Sequence, residues 1–164
     1  MIKKETNGSN YTTYLSIFLA GVLVVMVGLL IYRQLDEYQL QDDPKLNQLR
    51  DTFTTFFNKD KYWTGNLSML NKRNVMKETN LYKGDKSYTI NKDKVFMCLI
   101  DENGHYYSEN MLIYVLAHEF AHVLATSVGH TEEFHRIFGD LLVELTDDGM
   151  YDPSQEIVGD YCQY

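Results

Sequence analysis

The chain contains little cysteine and few basic residues, and each shortage excludes a class of protein. Only 2 of its 164 residues are cysteine, too few for a disulfide scaffold or a zinc ribbon. Cys98 and Cys162 can therefore be two free thiols or one disulfide. Lys and Arg number 15 against 23 Asp and Glu, which gives a formal net charge of −8. Non-specific binding to nucleic acid needs a cationic surface, so no nucleic-acid partner is expected.

Charged residues are absent from one long stretch, since none lies between Glu5 and Arg33. Its apolar core, residues 15–32, reads LSIFLAGVLVVMVGLLIY. A membrane-spanning helix needs roughly 20 mostly apolar residues, whereas the core of a cleaved signal peptide has roughly 7 to 15 and precedes a small-residue cleavage site. Here the run is longer and no Ala-x-Ala follows it. The sequence predicts a retained transmembrane helix over residues 15–32, preceded by a short tail at residues 1–14.

The remaining sequence predicts a connector followed by one α+β domain. Residues 33–43, RQLDEYQLQDD, are polar and acidic, as in a juxtamembrane connector, and residues 44–164 alternate between helical and strand patterns. The predicted elements are a helix over residues 44–57, strands over 86–90 and 95–100, a helix over 109–127, and a last helix that begins after Thr131 and stops at residues 147–149. The second strand, VFMCLI, is apolar on both faces, which predicts an inner strand.

The helix over residues 109–127 is apolar nearly all round after its first turn. Such a helix is either a second membrane span or the buried centre of a domain. Three polar residues in its middle, His118, Glu119 and His122, favour the buried centre, because charged and polar groups are costly in lipid.

Those three residues form the pattern HExxH within the sequence HEFAH. Residues four apart in a helix lie on one face, so His118 and His122 can bind one ion. Glu119, rotated by about 100°, can reach a water molecule at the ion without being a ligand. In this arrangement two imidazoles hold zinc and the glutamate is the general base. Two core histidines satisfied by hydrogen bonds are the structural alternative, but burying them beside a carboxylate without compensation is costly.

A catalytic zinc site needs a third protein ligand and one open position. The candidates for the third ligand are His130, which follows the turn at Gly129, then His135, and a downstream acid at Glu144. The metzincin spacing HExxHxxGxxH is excluded, because Ala125 and Val128 stand where that pattern requires glycine and histidine.

A peptide hydrolase also needs a hydrogen-bond donor for the developing negative charge and a surface that holds the peptide. The candidate donors are Tyr106, Tyr107, His105 and His135, although for each of them the sequence favours a packing or surface role over a catalytic one. The strand over residues 95–100 is predicted to pair with an extended peptide. A fourth protein ligand, from His135 or from an acid in the C-terminal tail, would instead close the site and make the zinc structural.

The motif resembles that of the WLM and SprT-like zinc metallopeptidases, in which HExxH is followed by a third histidine in a Gly-His-x-x-x-Phe context. The matching positions are His118, Glu119, His122, His130 and Phe134. The longer run from LYKGDKSYTI through the motif to YDPS and DYC is similar to small membrane-anchored metallopeptidase-like proteins of large nucleocytoplasmic DNA viruses. That similarity covers about residues 60 to 164.

The resemblance implies a zincin-like mini-domain, a small sheet beside an active-site helix, with Zn²⁺ as its cofactor. It implies that His118, His122 and His130 are the metal ligands and that Glu119 is the catalytic residue. It also implies a virus-encoded, single-pass membrane protein of the virion or of an internal membrane of the host cell. The expected partners are then a polypeptide substrate, the lipid membrane through residues 15–32, and capsid or virion membrane proteins.

Two other functions stay open from the sequence. One is a structural protein of the virion, in its membrane or as a minor capsid component, whose zinc site is not catalytic. The other is a DNA–protein crosslink protease, but the SprT-like and WLM relatives with that activity carry basic or DNA-binding segments, which this acidic chain lacks. Because the viral resemblance includes both cysteines, it also implies a disulfide between Cys98 and Cys162 that fixes the tail to the sheet.

Overall fold

The computed structural model describes most of the chain, namely residues 8–159, 161 and 162. Half of the predicted N-terminal tail, residues 1–7, lies outside this part. The chain divides into two compact units, the first ending at Gln39 and the second beginning at Leu40. The second unit is of the α+β class and contains a small mixed sheet.

One long helix, α1 (Gly8–Gln41), begins the described part of the chain. Its segment Tyr11–Gln41 is apolar enough, and at 31 residues long enough, to cross a membrane by length and composition. The helix contains the predicted span at residues 15–32 and continues through most of the predicted connector. It ends near Asp43 because a residue that precedes proline disfavours the helical conformation.

The next helix, α2 (Pro44–Phe57), has the bounds that the Asp-Pro signal and the apolar spacing predict. The Asp43 carboxylate accepts hydrogen bonds from the backbone N–H groups of Lys45 and Leu46, and this caps the helix. Lys83 donates to the second carboxylate oxygen at 2.9 Å. Burial alone would raise the pKa of Asp43, but Lys83 and the two backbone donors lower it below its ordinary value.

Two short elements and a three-stranded sheet follow α2. The short elements are a 3-10 helix (Gly65–Asn71) and α3 (Val75–Glu78), and the strands are β1 (Asn80–Lys83), β2 (Tyr88–Ile90) and β3 (Lys94–Met97). The order is β1-β3-β2, with β1 parallel and β2 antiparallel to β3. The prediction of an inner strand is confirmed for residues 95–97, because β3 is the central strand, whereas residues 98–100 of the predicted strand lie beyond its end.

The prediction that this same strand would pair with an extended peptide is wrong. Both edges of β3 are already occupied by its neighbours, so it has no free backbone groups to offer. Among the residues that the structure describes, β2 pairs with β3 alone, so β2 is an edge strand. β1 was not predicted because a four-residue strand, NLYK, is too short to show a period.

The helix α4 (Glu109–Leu124) is the buried centre of the second unit, the alternative that His118, Glu119 and His122 favour. Twelve of its 16 residues are buried, and Phe120 stacks on Phe53 of α2 with ring centroids 5.2 Å apart. The Ser108 side chain caps its first turn. The helix ends earlier than predicted, because Ala125 is already extended with φ −61° and ψ 143°.

The helix α5 (Glu132–Asp147) packs against α4 and begins after Thr131, as predicted. The Thr131 hydroxyl accepts a hydrogen bond from the backbone N–H of Phe134 and caps the helix. Residues 125–131, called the ligand loop from here on, connect α4 to α5. Gly129 lies in this loop with φ +85°, a conformation that favours glycine.

A disulfide between Cys98 and Cys162 fixes the C-terminal tail next to the sheet. Both cysteines are buried. The Tyr161 hydroxyl donates to the backbone oxygen of Cys98 and lies 2.9 Å from the Ser87 hydroxyl, at the start of β2. The disulfide and the contacts of the Tyr161 hydroxyl therefore tie the tail to the end of β3 and the start of β2.

Replacing Cys162 by Ser is expected to lower the free energy of unfolding by roughly 4 kcal/mol. The cross-link joins residues 64 apart in sequence, and closing a loop of that length restricts the unfolded chain by about this amount. Urea unfolding of the full-length chain in detergent, with and without reductant, measures the effect. Reduced wild type and Cys98→Ser should both match the variant. A variant as stable as the oxidised wild type would contradict a structural role for the bond.

Candidate metal centre

Three histidine side chains converge on one point. His118 and His122 lie one turn apart on α4, and His130 approaches them from the ligand loop. The Nε2 atom of His130 is 3.1 Å from that of His118 and 3.2 Å from that of His122. One nitrogen of each ring lies within 4.8 Å of the others. Tetrahedral zinc with Zn–N bonds of about 2.05 Å separates its ligand nitrogens by about 3.3 Å, so the three rings fit such an ion.

Hydrogen bonds among the three rings would leave ring nitrogens unsatisfied. The Nε2 atom of a neutral imidazole is either one donor or one acceptor, but that of His130 faces two other ring nitrogens. A metal ion accepts a lone pair from all three. Burial and the neighbouring imidazoles lower the pKa of His118 to about 4, and burial lowers that of His122. Both rings are therefore neutral at pH 7, the form that binds metals.

The other two candidates for the third ligand lie away from this point. The ring of His135 is 6.3 Å from that of His130, centroid to centroid, and its side chain is exposed. Glu144 lies further along α5, where its carboxylate forms an ion pair with Lys61. Within the described part of the chain, the cluster that can hold an ion contains neither.

Phe134 forms an apolar support beneath the three ligands. Its ring centroid lies 4.8 Å from that of His118, 4.3 Å from that of His122 and 4.8 Å from that of His130. Phe138 adds a second contact to His118 at 5.3 Å. Because Phe134 is only 1% exposed, it restricts the rings to these orientations from the side of α5.

The ligand loop is held from two sides by charged residues. Glu133 of α5 accepts hydrogen bonds from the backbone N–H groups of Thr126 at 2.9 Å and Ser127 at 3.1 Å, and from both hydroxyls. Lys92, in the turn between β2 and β3, donates to the backbone oxygens of Ala125 and Ser127. These contacts fix the backbone of the loop that carries His130. The sequence patterns gave no indication that Glu133 or Lys92 would hold this loop.

Glu133→Gln is expected to weaken the acid sensitivity of folding. Backbone and hydroxyl donors from Thr126 and Ser127 lower the pKa of Glu133 from 4.5 to about 2. A lowered folded-state pKa stabilises the protein above the ordinary value and loses this effect as the pH falls through the lowered one. Wild type should therefore be more stable than the variant at pH 6, and the difference should shrink between pH 4.5 and 2.

Urea midpoints of both proteins across that pH range, in the presence of a chelator, measure this effect. The chelator removes the separate contribution of metal binding, which is itself acid-sensitive. A difference that stays constant across the range would show that the Glu133 charge is not responsible.

Glu119 lies beside the three ligands and is only 4% exposed. Burial raises the pKa of its carboxyl group to about 7, although a hydrogen bond from Thr89 opposes the shift. The Thr89 hydroxyl donates to Oε2 of Glu119 at 2.7 Å. A carboxyl group with a pKa near neutrality can both accept and release a proton at physiological pH.

The cluster and Glu119 line an open cleft of about 470 Å³. One wall is the edge strand β2 with the turn that follows it, including Ser87, Tyr88 and Asn91, and the other is the ligand loop. Val128 of that loop is 89% exposed. The cleft is therefore bounded on one side by β2, whose outer edge is unpaired among the described residues, and on the other by an exposed apolar side chain.

The four candidate donors for the developing charge do not line this cleft, which agrees with the packing or surface role that the sequence favours for each. His105 lies near Asp101 and is exposed, and the Tyr106 hydroxyl donates to the Asp43 carboxylate. The Tyr107 hydroxyl accepts from the backbone N–H of Cys162. His135 is on the outer surface of α5. The polar side chains that line the cleft on the β2 side are instead Ser87, Tyr88, Thr89, Asn91 and Lys92, and none of these was predicted as a donor.

The chain thus combines one apolar helix with an α+β unit that carries a three-histidine cluster. No protein-family model and no solved structure matches it. Over 105 residues it is 47% identical to uncharacterized protein 136R of Invertebrate iridescent virus 6, across 62% of this chain and 59% of that protein. Over 99 residues it is 37% identical to uncharacterized protein 042R of Invertebrate iridescent virus 3, across 60% and 62% respectively. The chain spans about three fifths of the length of these relatives.

Proposed function

We propose that this protein is a membrane-anchored, zinc-dependent metallopeptidase that hydrolyses peptide bonds. The observation that carries the proposal is the convergence of three histidine nitrogens within 4.8 Å of one another, beside the buried carboxylate of Glu119. The cluster opens into a cleft along an edge strand. A three-ligand site that faces a cleft is the arrangement of catalytic zinc, whereas structural zinc is closed by a fourth protein ligand.

His118, His122 and His130 would hold the zinc ion through their Nε2 atoms. When bound, zinc supplies a lowered pKa for water and polarises the peptide carbonyl. Glu119 accepts a proton from the attacking water and later passes it to the leaving amine. Glu119 is only 4% exposed and lines the same cleft as the three ligands, which suits both steps.

The edge strand β2 is the proposed seat of the substrate. An extended polypeptide can add to a free strand edge through backbone hydrogen bonds, and β2 lines the cleft through Tyr88 and Thr89. Such binding recognises the backbone of the peptide rather than a particular side chain. The substrate class is therefore an extended or unfolded polypeptide segment.

We further propose a zincin-like domain of the WLM and SprT-like type, encoded by a virus. The small sheet beside the helix that carries HExxH agrees with the architecture that the resemblance implies. The relatives are proteins of two iridescent viruses, which supports a viral origin. The net charge of −8 disfavours a DNA–protein crosslink protease, because binding to DNA needs a cationic surface.

We assign the helix α1 as the single membrane span of the residues that the structure describes. Its segment Tyr11–Gln41 is long and apolar enough to cross a membrane, and no charged residue lies between Glu5 and Arg33. The proposed partners are accordingly the lipid membrane, a polypeptide substrate, and other proteins of the virion or its membrane. This location places a hydrolase where viral or host membrane proteins are its nearest substrates.

The proposal is tested by cleavage of a fluorescently labelled, unfolded protein by the full-length chain in detergent. Cleavage is expected with bound zinc, should stop after removal of the metal by 1,10-phenanthroline, and should return when zinc is restored. A chain that binds one zinc ion yet cleaves no unfolded protein would instead be a structural virion protein. Cleavage that persists without metal would exclude the zinc mechanism.

A further inference from the structure

Thr89 connects the edge strand to the candidate general base. It is the middle residue of β2 and pairs with Val95, which in turn pairs with Leu81. Val95 and Leu81 are buried, so Thr89 projects toward α4 on the inner face of the sheet. Its neighbours Tyr88 and Ile90 project outward and are 43% and 41% exposed.

The Thr89 hydroxyl has two acceptors within reach, both on Glu119. It lies 2.7 Å from the carboxylate oxygen Oε2 and 3.2 Å from the backbone oxygen. A hydroxyl has one proton, and a bond to an ionised oxygen is the shorter and stronger of the two. Thr89 therefore donates to Oε2, and its contact with the backbone oxygen is secondary.

The hydrogen bond from Thr89 gives the two carboxylate oxygens of Glu119 different roles. Oε2 is held by the sheet, whereas in the described part of the chain no residue donates a hydrogen bond to Oε1. A carboxylate held at one oxygen keeps a fixed orientation while the other oxygen stays available to a proton donor in the cleft. Without the hydroxyl, the Glu119 side chain could rotate away from the position of the reacting water.

We propose that Thr89 is a positioning residue that orients Glu119 and links this orientation to the seating of a polypeptide on β2. The inference rests on the proposed peptidase function. A peptide that adds to β2 contacts the same strand that holds the base, so one three-residue strand both binds the substrate and orients the carboxylate. Substrate binding and catalysis are thereby coupled through a single side chain.

The test compares Thr89→Val, which keeps the shape but removes the hydroxyl, with Thr89→Ser, which keeps the hydroxyl. Full-length proteins in detergent are loaded with zinc, and kcat and KM are measured on an unfolded protein. Thr89→Val should retain its zinc and show a kcat lower by about 10- to 100-fold with little change in KM. Thr89→Ser should restore kcat to within about threefold of wild type.

Thr52→Val is the matched control. The Thr52 hydroxyl donates to a backbone oxygen of α2, Gln48, at 3.0 Å, and this residue does not line the cleft. The control removes a threonine hydroxyl without touching the site, so its kcat should equal that of wild type. Equal kcat values for Thr89→Val and wild type, or a Thr89→Ser variant as slow as Thr89→Val, would overturn the positioning role.

A second measurement needs no catalysis and separates this inference from the proposed function. A hydroxamate binds a metal through its oxygens and also contacts a neighbouring carboxylate. Binding of acetohydroxamate to the cobalt(II)-loaded proteins is followed by visible absorption. Thr89→Val and Glu119→Gln should each bind it about tenfold more weakly than wild type and Thr89→Ser, the effect of one misplaced charge-assisted hydrogen bond.

The two measurements distinguish the possible failures. If wild type cleaves nothing but the hydroxamate series behaves as expected, the proposed peptidase function fails and Thr89 still orients Glu119. If Thr89→Val binds the hydroxamate as tightly as wild type while Glu119→Gln does not, Thr89 does not position the carboxylate. If Thr89→Val loses its metal or unfolds, the Thr89→Ser variant is the test. Hydroxamate binding as tight as in wild type would support the positioning role of the hydroxyl, and weakened binding would overturn it.

Discussion

Glu119→Gln is expected to reduce peptide hydrolysis by about 10²- to 10⁴-fold, the usual contribution of a general base, while leaving metal binding intact. Glutamine has the same shape as glutamate and can still accept the hydrogen bond from Thr89, but its amide cannot take a proton. The three ligands are untouched by this change. Activity and metal content should therefore separate completely in this variant.

In the metal-free protein, the same substitution should leave the free energy of unfolding unchanged or raise it. Burial raises the pKa of Glu119 to about 7, so ionising this carboxyl group inside the fold is unfavourable. The side chain of glutamine is neutral, so the free-energy cost of burying a charge is absent in the variant. The zinc content per chain is measured by elemental mass spectrometry, and thermal unfolding is followed by circular dichroism. Cleavage is measured with the unfolded-protein substrate.

Glu132→Gln is the control for the loss of one carboxylate. The Glu132 side chain is 91% exposed in the first turn of α5, away from the cleft-lining residues, and its substitution should leave activity within about twofold of wild type. Glu119→Gln with wild-type activity would remove the general base from the mechanism. Glu119→Gln that loses its zinc would show that Glu119 is a ligand rather than a base.

His130→Ala is expected to weaken zinc binding by about 10²- to 10³-fold. Apparent zinc affinities of about 10 to 16 kcal/mol shared among four ligands correspond to roughly 3 kcal/mol per ligand, and each 1.4 kcal/mol is a factor of ten. The Nε2 atom of His130 lies within 3.2 Å of both other ligand nitrogens. Removing it leaves two ligands from one helix, which hold zinc poorly.

His135→Ala is the matched control for this variant, because it removes an imidazole five residues further along the chain. The His135 side chain is exposed, and its ring centroid is 6.3 Å from that of His130. Competition with a coloured zinc chelator gives the affinity of each variant. His130→Ala should lose affinity and His135→Ala should keep it. Equal losses in both would indicate a fourth protein ligand and a closed, structural site.

The helical part of this architecture could be predicted because its signals are local. Asp43-Pro44 and Thr131 cap helices through groups only two or three residues away, and HExxH places its two histidines on one face through helical geometry alone. His130 was the first candidate for the third ligand because a glycine turn precedes it. The structure brings it to the other two through that turn.

The sheet could not be predicted as well, because its order depends on residues far apart in the sequence. Strand VFMCLI was predicted both as an inner strand and as the seat of the peptide, and only the first of these holds. Its parallel neighbour β1 is a four-residue segment without a visible period. Without β1 in the prediction, β3 seemed to have a free edge.

The residues that support the site were also beyond sequence analysis, for the same physical reason. Thr89 reaches Glu119 across 30 positions of sequence, and Lys92 reaches the ligand loop across 33 and 35. Nothing in a local pattern distinguishes such a threonine or lysine from one on a solvated turn. Long-range strand pairing determines these contacts, and the sequence pattern does not show it.

The most direct test of the metal centre is zinc X-ray absorption on the full-length protein in detergent, combined with the zinc content per chain. An open catalytic site predicts one zinc ion with three imidazole ligands and one ligand from solvent, and the same spectrum for His135→Ala. No stoichiometric zinc would contradict the metal centre itself. A shell closed by a fourth protein ligand would contradict the hydrolase and leave a structural zinc site.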